Sequence, residues 1–424
     1  MPKQKSPSRQ PLRHVRPSDL RAVAQLATQA TRGVARIAEG VHQSVWSSMG
    51  VPGSAPGQTR GLTGFVYRAV HSVTEMVGKG LQAGLTKLEP LLVSLMDAPP
   101  ETPEREAVLA ALNGVMGDRL QQSNNPLATP MSLSHQGHAL LLPERPLHVS
   151  NATGKVLLLI HGLCMNDLQW RAQGSARKDG TPAPVVDHGA ALAAQLGYAP
   201  VYLRYNTGLH TSQNGQELAA KLEQLLAGWP VRVEELTIVA HSMGGLVSRS
   251  AVYYAQQRGL HWPSSLKNLV FLGTPHHGAP LEKAGNWIDV VLGATPYSRP
   301  FARLGQLRSA GITDLRFGHV LDADWEGRDR FRRGPDRRQP LPLPAGVHCF
   351  TAAATKAGQR SLLAERVLGD GLVPLPSALG QHNEPQHRLA FDKANQWVGY
   401  RMNHWDLLSS PEVTQQIVRW LEPI

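Results

Sequence analysis

From residue 156 onward, apolar residues fall into short blocks at 156–160, 201–205, 236–240, 268–272 and 347–353, separated by stretches long enough for helices. Blocks of this length, rich in Val, Leu and Ile, predict strands buried on both faces. Their alternation with helices predicts an α/β architecture with a mostly parallel sheet and helices on both faces. Upstream, 131–134 and 138–142 flank a Gln-Gly turn and predict an antiparallel hairpin. Late in the chain, 387–391 is the expected site of one more short strand. A last helix should follow, with Ser410 as cap and Pro411 in its first turn. Between 280 and 345 the alternation lapses, which predicts an insertion covering one edge of the sheet.

A different pattern runs through the N-terminal hundred residues. Residues 1–18 are basic and rich in Pro and Ser, and read as a disordered tail. In 19–100, Leu20, Val23, Ala27, Ala30, Val34, Ile37 and Val41 recur at spacings of three and four, so they share one face of a helix. A second helical stretch at 62–96 repeats the first in part, because Thr31-Arg32-Gly33 returns as Thr59-Arg60-Gly61. Such a helical extension fits a pair of helices packed on each other or on the domain at 101–424. Its basic, small-residue character also fits peripheral contact of 19–96 with a lipid surface.

Charge and composition narrow the chemistry. The chain has 424 residues and a formal net charge of +11. The positive charge is divided between the tail and a charge-dense stretch at 322–338, and no nucleic-acid-binding motif accompanies it, so a nucleic-acid partner is not expected. Two cysteines, Cys164 and Cys349, cannot make a disulfide framework. No signal-peptide core or membrane-spanning apolar run occurs, and cytoplasmic residence is the expectation. Neither a phosphate-binding glycine loop nor a cluster of metal-ligand residues appears, so no cofactor and no metal is expected. His276-His277 reads as pocket wall.

The strongest chemical signal is Ala240-His241-Ser242-Met243-Gly244-Gly245, directly after the apolar block 236–240. A serine becomes a nucleophile when a tight strand-to-helix turn exposes its hydroxyl, and that turn needs very small residues two places to either side. Ala240 and Gly244 occupy those places. Upstream, 156–160 ends in His161-Gly162-Leu163, where a strand-end loop supplies an oxyanion-binding amide. Leu163 and Met243 are the expected donors. An acid to orient the base is expected at Asp370 in Gly369-Asp370-Gly371, with Asp289, Asp314, Asp322 and Asp324 as alternatives. The base is expected at His404, ahead of the last helix, with His382 and His387 as alternatives. His161, Gly162, His241, His277 and Trp287 are expected to contact substrate. Cys164 reads as packing.

Taken with Gly273-Thr274-Pro275-His276-His277-Gly278, these runs resemble bacterial lipases and esterases of the α/β-hydrolase fold, in the branch grouped with the GPI inositol-deacylase-like domain. The resemblance covers roughly residues 105–424. It implies a triad of Ser242, Asp370 and His404, and an insertion at 280–345 serving as a cap or lid. The expected activity is hydrolysis of a small-molecule or lipid carboxylic ester through an acyl-enzyme on Ser242. The same triad would also suit an acyltransferase, thioesterase or amidase. A catalytically idle lipid-surface protein on a hydrolase scaffold is a further alternative.

Overall fold

A computed structural model describes residues 103–142, 146–173, 184–279, 308–329, 336–358 and 369–422, with a few isolated positions before 103. The chain divides into two compact units, residues 1–105 with 122–127 and residues 106–121 with 128–424. Of the N-terminal stretches, Ala22, Gln25, Thr28, Ser72, Glu75, Met76 and Lys79 are helical. The rest of 1–100, and the Trp287 segment of the expected insertion, lie outside the described residues. Among the described residues, no helix is long and apolar enough to cross a membrane.

The second unit is built on one eight-stranded sheet. In chain order its elements begin with residues 106–121 of α1 (Pro103–Gln122), followed by β1 (Ser132–His135), β2 (His138–Ala139) and β3 (Lys155–Ile160). A small two-stranded sheet, β4 (Arg171–Gln173) with β5 (Val185–Asp187), precedes α2 (His188–Leu196) and β6 (Ala199–Arg204). Then come α3 (Thr211–Gly228), β7 (Glu235–His241), α4 (Met243–Gln257) and β8 (Leu266–Leu272). The described chain closes with α5 (Ala310–Phe317), β9 (His348–Thr355), α6 (Leu375–Ala378), β10 (Gln396–Tyr400), α7 (Asp406–Ser409) and α8 (Pro411–Leu421). Spatial order in the large sheet is β10-β9-β8-β7-β3-β6-β1-β2. The β1–β2 and β1–β6 pairs are antiparallel, and the others are parallel.

Burial on both faces explains why the strands read as unbroken apolar blocks. Along β3, Val156, Leu158 and Ile160 face one core with Leu218, Leu222 and Leu225 of α3 and Leu246 of α4. Leu157 and Leu159 face the opposite core with Leu192 of α2 and Val413 and Ile417 of α8. Period-two alternation therefore feeds two apolar layers, and from Val156 to Ile160 no position is left for a polar side chain. On α8 the buried residues recur every four positions, and Ser410 caps the helix by accepting the Glu412 N–H at 3.2 Å with Pro411 at the first position.

One expected strand is displaced. Residues 385–387 form a 3-10 turn, and 388–391 form no strand. Leu389 N donates to Gly380 O and Phe391 N to Leu389 O, so their amides serve the local loop. The last strand is β10, which pairs in parallel with β9 from Gln396↔Thr351 to Tyr400↔Thr355.

Candidate active site

Four loops converge at the C-terminal ends of the parallel strands, the end where open α/β sheets place their ligands. After β7, Ser242 takes φ 53, ψ −122, a backbone conformation that a non-glycine residue holds only when its surroundings enforce it. The enforcement is visible. Ser242 N donates to Leu272 O at 2.8 Å, tying the turn to β8. The first turn of α4 presses against the end of β3, where a Cβ on Gly244 would stand 2.5 Å from Ile160 O. Only glycine permits that approach.

The loop after β3 brings Leu163 to the same place. It lines the cavity in front of Ser242, and Met243 opens α4, where the first amides have no acceptor inside the helix. Cys164 has a left-handed φ of 57, and burial pushes its thiol up to about 12, so it stays protonated and serves packing.

From the far strands come Asp370 and His404, the expected acid and base. Asp370 lies in the turn beyond β9, 2% exposed. Its Oδ1 accepts Leu372 N at 2.8 Å and Val373 N at 2.7 Å. Its Oδ2 lies 2.6 Å from Nδ1 of His404, which follows β10 and is 3% exposed. The backbone adds a second link, His404 N to Asp370 O at 3.2 Å. His241 supplies a third from below, with Nε2 at 3.3 Å from His404 O and ring centroids 4.6 Å apart. No hydrogen bond joins Ser242 to His404 among the described residues, but both line one cavity of about 430 Å³. Apolar side chains make most of its wall: Leu163, Met165, Pro275, Leu315, Val373 and Trp405.

The alternative acids are engaged elsewhere. Asp314 accepts from His210 and from Thr211 N, Asp322 accepts from Gln216, and Asp324 binds the amides of Val320, Leu321 and Gln339. Asp289 lies outside the described residues. His382 and His387 pack on each other at 5.1 Å and do not line the Ser242 cavity.

Expected substrate contacts fare unevenly. His241 lines the cavity. Gly162 does not, but a Cβ there would stand 3.0 Å from Ser242 Cβ, so it backs Ser242. His161 is fully buried, stacked on Tyr205 at 4.5 Å, and does not line that cavity. His277 lines a different cavity, with His276. From the same loop, Pro275 and Ala279 line the Ser242 cavity instead. Pattern reading missed Met165, Leu315, Leu372, Val373 and Trp405, whose apolar character has no signature apart from core residues.

Residues 151–333 match the family described as the PGAP1-like alpha/beta domain. Over this stretch the chain is similar to that domain, and the match covers less than half of its length. Ser242, Leu163 and Met243 fall inside the PGAP1-like match, and Asp370 and His404 lie beyond its end. Among solved structures, lipase B of Aspergillus fumigatus is 10% identical, with 64% of this chain and 54% of that chain covered and a TM-score of 0.37. The chain thus spans about half the length of that lipase. An esterase of Pyrococcus furiosus is 12% identical over 68% of this chain and 88% of that one, with a TM-score of 0.37. A thioesterase from the prodiginine pathway of Streptomyces coelicolor is 14% identical over 65% and 95%, with a TM-score of 0.34. No curated protein matches the chain.

Proposed function

We propose that the chain is a serine hydrolase that cleaves carboxylic esters of lipids or small molecules by way of an acyl-enzyme. The observation that carries this reading is the hydrogen-bonded Asp370–His404 pair opening onto the same apolar cavity as Ser242. His404, held with Nδ1–H toward Asp370, presents Nε2 as the base. It takes the Ser242 hydroxyl proton as Oγ attacks the ester carbonyl. The amides of Leu163 and Met243 then receive the oxyanion. His404 gives its proton to the leaving alcohol, and in the second half-reaction it draws a proton from the water that releases the acid. The largely apolar lining suits the acyl part of the substrate.

Labelling by a fluorescent fluorophosphonate tests the assignment. The intact protein should label in a single Ser242-dependent event, and Ser242→Ala should remain folded and unlabelled. Equal labelling of the variant would sink the reading. In the same scheme residues 19–96 bring the enzyme to a lipid surface, and deleting them should abolish co-sedimentation with anionic vesicles without changing labelling.

A further inference from the structure

The loop after β8 borders two cavities. Pro275 and Ala279 line the one containing Ser242, while His276 and His277 line a second, of about 250 Å³, with Arg249, Arg338, Gln339 and His387. The second cavity has a polar character and an unusual charge balance.

Arg249 sits on α4 two turns beyond Ser242 and is 6% exposed. Its Nη2 donates to Leu341 O at 2.5 Å, but its buried Nε has no hydrogen-bond partner. Among the described residues, no carboxylate lies within ion-pair distance of it. The nearest acids are committed. Asp336 holds Arg338 through both oxygens, at 3.0 Å to Nε and 2.7 Å to Nη2. Asp324 spends its oxygens on the backbone amides of Val320, Leu321 and Gln339, and attracts Arg249 only through space. Burial, reinforced by Arg338, pulls the Arg249 guanidinium down to about 10, which still leaves it charged at neutral pH. A buried guanidinium without a counter-charge is costly, and arginine is rarely so buried unless paired.

Beside it stands His276, 1% exposed, with both ring nitrogens unpartnered. Burial and the neighbouring Arg249 hold its pKa well below the usual histidine value, so the ring is neutral and offers one N–H donor and one acceptor. A water molecule would satisfy the imidazole but would leave the positive charge uncompensated. A cation is disfavoured by two arginines, and among the described residues no three His, Cys, Asp or Glu side chains converge as a metal site requires. The complement to a guanidinium N–H, an imidazole N–H and an imidazole acceptor is a small oxyanion that also carries an O–H, and phosphate has that form near neutral pH.

We propose that the Arg249–His276 cavity binds a phosphate group, free or as the monoester of a small molecule. The site is separate from the ester-cleaving machinery and does not depend on that assignment.

Isothermal titration of the full chain in phosphate-free buffer tests it, with inorganic phosphate and glycerol 3-phosphate as probes and acetate as the control for general anion binding. One saturable phosphate site per chain is expected, with affinity at least about tenfold weaker in Arg249→Gln and in His276→Phe, since losing one charge-assisted hydrogen bond removes about that much. Ser242→Ala should bind as the intact protein does. Tighter binding of glycerol 3-phosphate assigns the site to a phosphomonoester, and tighter binding of inorganic phosphate assigns it to the free ion. Should Arg249→Gln fail to fold by circular dichroism, His276→Phe decides, because its ring would pack where Phe271 and Phe391 already lie 4.7 Å and 5.6 Å from the imidazole. The proposal is overturned by absence of saturable phosphate binding to the folded chain, by acetate binding as well as phosphate, by affinity unchanged in His276→Phe, or by loss of binding in Ser242→Ala.

Discussion

Asp370 grips His404 through one carboxylate oxygen while the other is pinned by two amides. Oδ2 lies 2.6 Å from His404 Nδ1, and Oδ1 accepts Leu372 N and Val373 N at 2.8 Å and 2.7 Å. An asparagine in this position would keep its oxygen on the two amides and turn its NH₂ toward Nδ1. The imidazole would then have to accept there and carry its proton on Nε2, the wrong tautomer for a base. Asp370→Asn should lower kcat for p-nitrophenyl butyrate by about 10⁴-fold with little change in fold, the magnitude known for the same substitution in a serine protease triad. A variant retaining more than a tenth of the activity would assign the orienting acid elsewhere.

The floor under that imidazole is Gly273, at φ +60. A Cβ there would lie 3.1 Å from both Cε1 and Nδ1 of His404 and 2.7 Å from Leu407 Cδ1. Gly273→Ala therefore combines a strained backbone with a ring pushed off its position. Since displacement of a catalytic group by about 1 Å costs on the order of 10²-fold, kcat should fall by roughly that factor while KM changes little. Steady-state kinetics on a short ester, with the melting temperature as control, checks the split.

The legible parts of this chain were those with a periodic or steric rule behind them. Strands such as β3 and β7 are buried on both faces over most of their length, so nearly all of their residues are apolar and the blocks stand out. The elbow shows itself because packing of α4 on the end of β3 tolerates nothing larger than glycine at 244. β10 escaped notice because it lies at the sheet edge, where Gln396, Trp397 and Val398 are only half-buried and Gly399 interrupts the pattern. The stretch 388–391 imitated a strand by alternating Leu389 and Phe391, which are buried without ladder bonds. Cavity residues were hidden for another reason. Leu315, Val373 and Trp405 come together only in three dimensions, and an apolar side chain facing a cavity looks like one facing the core.

Acid sensitivity follows from the buried histidines. Burial lowers His161 to about 4 and holds His241 well below its ordinary value, with the nearby His404 adding to the shift in His241. In the unfolded chain both take up protons near pH 6.5. Between the folded and unfolded values the unfolded state binds more protons, so stability is full above about 6.5 and is lost as the pH falls toward the folded value. For His161 the loss at pH 5 is about 2 kcal/mol, given 1.36 kcal/mol per unit. Phenylalanine at 161 would keep the stacking on Tyr205 and remove the unpartnered Nε2. Melting temperature measured from pH 7.5 to 5 should fall less steeply in His161→Phe than in the parent. Parallel curves would show that this ring takes up its proton as readily in the folded protein as in the unfolded chain.

Acyl-chain selectivity should reside in the apolar wall. Leu315 on α5 reaches the cavity from outside the triad loops, and its carbonyl accepts Ala279 N at 3.0 Å, so its backbone position is anchored independently of its side chain. Leu315→Phe adds volume to the wall of that cavity while leaving Ser242, Asp370 and His404 unsubstituted. Removing room for a methylene or two costs a bound chain about 1–3 kcal/mol, equivalent to roughly 10- to 200-fold in kcat/KM. The expected result is a fall of at least about tenfold for p-nitrophenyl octanoate with acetate turnover retained, since only the longer chain meets the added ring. Equal losses on both esters would mean that α5 lines the leaving-group side or supports the triad indirectly. In that case the acyl chain runs along the opposite wall, past Leu163 and Met165.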